Sequence, residues 1–238
     1  MDRSTTPSLR AALHNIHRDT AWWRKVLTGG AVYMTVLGWP LAEGFHLQSM
    51  ENIRRGFPSP LPRWDTLSDK MVVGFFGWVI DVFFFLLPLL VGGVVAVCSV
   101  LGTGLLITNG VGQVVALALV SLIVVYELLM WASSASLRSK LLFVDNGEAS
   151  SALALNMVRL GLRPQALTRY GGLRLRILPF YGVALAVLWG GGQLGSINGW
   201  LGALGLWLGF SVLFYARLVA IQLYVAAAKG EEQAAFEW

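Results

Sequence analysis

From Met71 to Leu137 the chain runs 67 residues without a lysine or arginine, and from Ile177 to Ala216 it runs 40 without any charged side chain. Helices of a water-soluble domain each keep a polar face toward solvent, so charge seldom disappears over such lengths. A bilayer demands its disappearance, because a charge at the centre of a membrane helix costs about 2.5–3.5 kcal/mol or more. The basic residues are instead gathered outside these stretches: five in residues 1–25, four from Arg54 to Lys70 and seven from Arg138 to Arg176, leaving only Arg217 and Lys229. Such clusters are the pattern of short, positively charged loops that orient a membrane protein.

Composition agrees. The chain is 56% apolar and only 13% charged, with a mean hydropathy of +0.64, well beyond the soluble balance of about half apolar and a quarter charged. Residues 1–238 read as one integral membrane domain with no soluble domain appended. The net charge of +5 points to anionic lipid headgroups and not to nucleic acid, since the basic residues flank apolar spans and form no free stripe. Cys98 lies in an apolar run and, as the only cysteine, forms no internal disulfide.

Residues 1–25 carry no cleavable signal pattern. Thr6 and Pro7 read as N-cap and first helical residue, and Leu9, Leu13, Ile16 and Trp23 then form an apolar stripe beside Arg10, His14, His17 and Arg24. This predicts an amphipathic helix lying in the interface. Residues 26–53 are long enough to cross but are interrupted at Trp39-Pro40 and carry Glu43 and His46. A full crossing would put two basic islands on opposite sides, so the positive-inside pattern favours a broken or re-entrant helix.

Residues 54–80 read as an elbow and interfacial helix. Pro58, Pro60 and Pro62 prevent helix, Trp64 is suited to anchoring at headgroup level, and Asp65 reads as the cap of the next helix. Residues 81–132 form a first hairpin that enters near Asp81, is open to a kink at Pro88 and turns at Thr103 to Gly110. Residues 133–176 are a basic cytoplasmic segment. Within it Asn146-Gly147-Glu148 opens a short amphipathic helix that Gly161 and Pro164 stop. Residues 177–224 make a second hairpin turning at Gly190 to Gly199, and 225–238 a tail. The fold class expected is therefore all-α: a polytopic membrane helical bundle with two transmembrane hairpins, a re-entrant or broken first apolar helix and interfacial amphipathic helices. Both termini are expected on the cytoplasmic side of the membrane.

One stretch resembles a known family. Gly29-Gly30, Gly44-Phe45, Arg54-Arg55-Gly56, Leu61-Pro62-Arg63-Trp64-Asp65, Gly74 and Leu87-Pro88 follow in an order similar to that of an uncharacterised prokaryotic membrane family, a domain of unknown function. The likeness covers about the first 100 residues. Phe45 stands where the family tends to have tyrosine. The resemblance implies a bacterial or archaeal inner-membrane protein and supplies no activity. The elbow residues Arg55, Gly56, Pro62, Trp64 and Asp65 carry it most strongly, and their physical role reads as structural.

Residues able to do chemistry are few. Gly190 to Gly195 matches the dinucleotide fingerprint in letters only, because no strand precedes it. His14 and His17 have metal- or haem-compatible spacing but share a face with arginines, and His46 is a weak haem or pigment candidate. No cofactor, metal or catalytic residue is predicted, although bound lipid is. The intramembrane ionisable residues Glu43, Asp81, Glu127 and Arg217 are the stronger candidates, with Arg217 expected to pair with Glu127 or Asp81. Arg159, Arg163, Arg169, Arg174 and Arg176 form a patch facing headgroups, or a site for a phosphorylated ligand. Gly202, Gly205 and Gly209 allow close helix packing within the chain or against a partner.

The function classes that follow are, in order, a non-catalytic membrane scaffold or accessory subunit, a small transporter or channel using its intramembrane acids, and an intramembrane enzyme. Anionic lipids and other membrane subunits, or further copies of the chain, are the expected partners.

Overall fold

The computed structural model describes residues 8–35, 37–106, 111–154 and 156–236, all of them helix or connecting turn, with no strand among them. The helices are α1 (Leu9–His17), α2 (Trp22–Tyr33), α3 (Gly38–Arg55), α4 (Leu67–Asp81), α5 (Leu87–Leu106), α6 (Val111–Ala132), α7 (Ala135–Asn146), α8 (Ala149–Ala152), α9 (Asn156–Gly161), α10 (Pro164–Ile197) and α11 (Gly199–Phe236). Three continuous helices are long and apolar enough to cross a bilayer: Leu67–Ser99, Pro164–Ile197 and Gly199–Glu231. A fourth candidate is the pair Leu117–Ala132 and Ala135–Asn146, bent by 46°. Their outward residues, among them Val94, Leu117, Leu122 and Leu185, are exposed, as lipid-facing positions are. The chain is a polytopic helical membrane protein.

α4 continues directly into α5, so the predicted re-entry at Asp81 is not a break. It is a single π-helical turn, Val82–Leu86. Pro88 explains it, because proline lacks the N–H that would bond the Phe84 carbonyl one turn back, and its ring crowds that carbonyl. The Phe84 oxygen instead accepts a hydrogen bond from the Tyr126 hydroxyl of α6 at 3.2 Å. α5 ends at Leu106, and residues 107–110, the rest of the expected turn, lie outside the described residues, as do Thr6 and Pro7.

The second hairpin differs from expectation at both ends. α10 begins at Pro164, 13 residues before Ile177, because a proline at the first helical position starts a helix at no cost in hydrogen bonds. Gly147, in the left-handed conformation, closes α7. The expected amphipathic helix of 146–161 is therefore two short pieces, α8 and α9. The far turn is Asn198 alone, whose side-chain oxygen accepts the Trp200 N–H at 2.8 Å. Gly190 to Gly195 are helical, and Gly191 and Gly195 serve packing: a Cβ on Gly205 would sit 2.5 Å from the Gly191 Cα, and one on Gly209 would meet Leu188 at 2.7 Å. Gly202 faces Gly195 in the same way. The partner of the glycine row on α11 is thus α10 of the same chain.

The segment 26–53 is the expected broken helix, α2 followed by α3. Hydrogen bonds, ring contacts and close glycine approaches join α2 and α3 to α11 between Trp207 and Lys229. Only the ten residues Trp207 to Ala216 of that range belong to the charge-free stretch, about 15 Å of helix. Neither α2 nor α3 is among the helices long and apolar enough to cross a bilayer on its own. α3 is largely buried and lies backbone to backbone on α4, where a Cβ on Gly74 would fall on the Pro40 carbonyl.

The first helix also departs from expectation. α1 stops at His17 and Trp23 belongs to α2. Ala12 and Ile16 are buried, with Leu9 and Leu13 beside them in a core shared with Phe214 and Leu218. Its apolar stripe faces the protein, which offers denser packing than lipid, and not the bilayer surface.

Candidate functional site

Four ionisable side chains from four helices meet where the broken pair α2–α3 touches the bundle. Lys140 of α7 donates to Glu43 Oε1 of α3 and to Asp81 Oδ2 at the end of α4, both at 2.6 Å. Arg217 of α11 donates to Glu43 Oε2 at 2.5 Å and reaches Asp81 Oδ2 at 3.4 Å. Ser136, one turn before Lys140 on the same face, donates to Asp81 Oδ1 at 2.7 Å. Every carboxylate oxygen therefore has a partner, and two acids face two bases. A buried charge without such pairing costs several kcal/mol, which is why these groups occur together.

The helices hold this geometry by packing. Gly44 and Gly74 bring α3 against α4, while the bend at Ser133 and Ser134 turns α7 inward, with the Ser133 hydroxyl accepting the Ala135 N–H at 3.2 Å. A cavity of about 290 Å³ opens beside the cluster, lined by its charged members and by Arg174, Tyr181 and Tyr224. Arg217 is 36% exposed within it.

Lys140 and Ser136 were not singled out by sequence reasoning, which assigned Lys140 to a basic island. The available signal was their four-residue spacing, which puts Ser136 and Lys140 on one helix face beside the equally spaced Leu137 and Leu141. Of the expected partners for Arg217, Asp81 is in reach, whereas Glu127 is not part of the cluster. Glu127 sits on α6 with one shielded oxygen that has no hydrogen-bond partner among the described residues.

His46 is fully buried between Tyr33 and Phe214, with ring centroids at 6.1 and 4.7 Å. Neither ring nitrogen has a hydrogen-bond partner, the nearest acid oxygen being Glu43 Oε2 at 3.6 Å. Aromatic packing surrounds the ring, with the Glu43 carboxylate at ion-pair distance from Nδ1. His14 is exposed, and His17 meets the Tyr215 hydroxyl at 3.0 Å. The two do not converge. No group of three or more His, Cys, Asp or Glu side chains is gathered for a metal among the described residues.

The elbow forms a second clasp. Gly56, at φ +73°, ends α3 in the left-handed conformation that glycine adopts without strain. Arg55 pairs with Glu51 at the surface. Trp64 stacks on Phe45 at 4.4 Å and donates to the Lys25 carbonyl at 3.0 Å, so it locks the elbow to α2 and α3 where a headgroup anchor was expected. Asp65 is exposed, and the N-cap position of α4 is held by Thr66, whose side chain makes no capping hydrogen bond. The buried Lys70 ammonium donates to the Asp65 carbonyl at 2.6 Å. Pro62 leads into this turn half-buried. Lys25 bridges Asp19 Oδ2 at 2.5 Å and the Leu61 carbonyl at 2.8 Å, and Ser59 donates to Asp19 at 2.9 Å. Burial alone would raise the Asp19 carboxyl, but Lys25, the Ala21 N–H and Ser59 together hold it below the usual carboxylate range.

The five arginines of the basic patch part ways. Arg159 and Arg176 are exposed. Arg174 turns inward, donating to the Ser133 carbonyl at 3.3 Å and lying over Trp131 and Tyr224. Arg163 and Arg169 line a second, larger cavity.

Fold and site together define a helical multi-pass membrane protein whose broken segment α2–α3 is fastened to the bundle by an ionic cluster. The chain belongs to the family described as "Protein of unknown function (DUF4013)", whose model matches residues 27–165. The match extends well past the first 100 residues and contains Glu43, Asp81, Ser136 and Lys140; Arg217 lies beyond it. No curated protein and no solved structure matches the chain.

Proposed function

We propose that this chain is a non-catalytic membrane scaffold or accessory subunit of a larger assembly in a prokaryotic inner membrane, with both termini cytoplasmic. The observation that supports this best is the saturation of the ionic cluster. Glu43, Asp81, Lys140 and Arg217 satisfy one another, which suits a clasp between helices better than a group that must release a proton or grip a substrate. The long exposed apolar faces of α5, α6 and α10 leave ample area for lipid or for neighbouring subunits, including further copies of the chain. Anionic headgroups suit the exposed Arg159 and Arg176.

A second reading, a small transporter or channel, is favoured by the cavity of about 290 Å³ at the cluster, because intramembrane ionisable groups beside a polar space often mark a pathway. Purification from native membranes in mild detergent, followed by size exclusion and mass spectrometry, separates the two. A partner of fixed stoichiometry supports the scaffold. A homo-oligomer that conducts ions or solute in proteoliposomes, and loses that flux in Asp81→Asn, replaces the scaffold with the transporter.

A further inference from the structure

The larger cavity, about 690 Å³, lies at the end of the molecule where α3, α7 and α11 finish, α9 passes and α10 starts. Four guanidinium groups line it, those of Arg54, Arg138, Arg163 and Arg169, against two carboxylates, Asp145 and Glu231. Arg54 pairs with Asp145 at 2.8 Å and Arg138 with Glu231 at 2.7 Å, while Arg169 stands off Glu231 at 3.7 Å. Arg163 has no acidic partner among the described residues, so the lining carries an excess of two positive charges. The Nε of Arg138 is shielded from solvent and has no acceptor. Arg163 caps the first turn of α10, and Gln165 and Ala166 of that turn form part of the wall, adding free N–H groups and the positive end of a long helix. Leu141, Met157 and Leu160 give the opposite side an apolar surface.

Position decides what such a site can meet. Arg163 is 14 residues before Ile177, where the charge-free stretch begins, or about 21 Å along the helix. Glu231 is as far beyond Arg217. A headgroup layer adds only about 5–8 Å to each side of the hydrocarbon. The cavity therefore faces the aqueous phase beyond the headgroups. Its size falls within the range of small-molecule sites, about 300–1,000 Å³.

We infer that this cavity binds a water-soluble organic phosphate, with the phosphate held by Arg163, Arg138 and Arg169 at the start of α10 and the carbon portion lying on Leu141, Met157 and Leu160. Guanidinium forks match phosphate oxygens in pairs, and the apolar wall gives an organic ester an advantage over the bare ion. A bilayer phospholipid presents the same chemistry from a different source, and the test separates them.

The full-length protein in neutral detergent is titrated with the fluorescent trinitrophenyl derivative of adenosine monophosphate. Saturable binding is expected, displaced by adenosine monophosphate at lower concentration than by inorganic phosphate, and not by phosphatidylglycerol supplied in nanodiscs. Arg163→Gln, at an exposed and unpaired position, and Met157→Asp should each weaken binding on the order of tenfold while the melting temperature of Arg163→Gln stays that of the parent. Absence of saturable binding, affinity unchanged in both variants, or displacement by phosphatidylglycerol and not by adenosine monophosphate would each overturn the assignment.

Discussion

Arg217 Nη2 and Glu43 Oε2 stand 2.5 Å apart across 174 positions of sequence, joining the last span to α3. The pair fastens α3 at the first charge that α11 carries after the charge-free stretch. Lys140 and Asp81 complete the neutralisation from two further helices.

Removing one member leaves its partners buried and unbalanced. Glu43→Ala is expected to destabilise the detergent-solubilised protein by about 3–5 kcal/mol, and Arg217→Met by a smaller amount because its side chain is partly exposed. The double variant Glu43→Leu/Arg217→Met keeps Lys140 and Asp81 as a neutral pair, so it should melt above the Glu43→Ala protein. A double variant less stable than both singles, measured by tryptophan fluorescence on heating, would show that the four groups do not act as one balanced cluster.

The glycine row can be divided by contact. Gly205→Val places a branched side chain where the Gly191 backbone lies and should separate α10 from α11, at a cost of about 1–3 kcal/mol or more. Gly192→Ala, on the open side of α10, should be neutral or slightly stabilising, since alanine favours helix over glycine by about 1 kcal/mol in water. Equal melting temperatures for the two variants would remove the packing role of the row.

The Asp19 clamp sets a pH dependence. Its folded carboxyl lies below the ordinary value of 3.8, so its contribution is complete above that value and is lost as pH falls through the lower folded one. In the acid window below about pH 4 the parent should lose more stability than Asp19→Asn. Parallel melting curves across that window would exclude the clamp as a source of acid sensitivity.

Tyr126 and Pro88 should be energetically coupled. Tyr126→Phe removes the donor to the Phe84 carbonyl, costing about 0.5–1.5 kcal/mol. In a Pro88→Ala background the restored backbone N–H supplies that carbonyl, and the same substitution should cost less. A double-mutant cycle by thermal unfolding reads the difference directly, and additive effects would sever the link.

Membrane character and helical class were legible because charge is expensive in lipid whatever the tertiary structure. Lys140 was hidden for the opposite reason. A lysine beside Arg138 looks like a loop charge until the bend at Ser133-Ser134 turns its helix inward. Trp64 was misjudged because an indole suits a headgroup layer and an aromatic stack equally well, and only the neighbouring Phe45 decides between them. Pro164 was ambiguous in the same manner, since proline both ends and begins helices.

The second hairpin reverses on Asn198 alone, and that economy makes the molecule strongly polarised. A turn of one residue leaves no loop domain at that apex. The charged side chains of the hairpin all lie toward its opposite, arginine-bearing pole, so its electrostatic interactions are concentrated at one end.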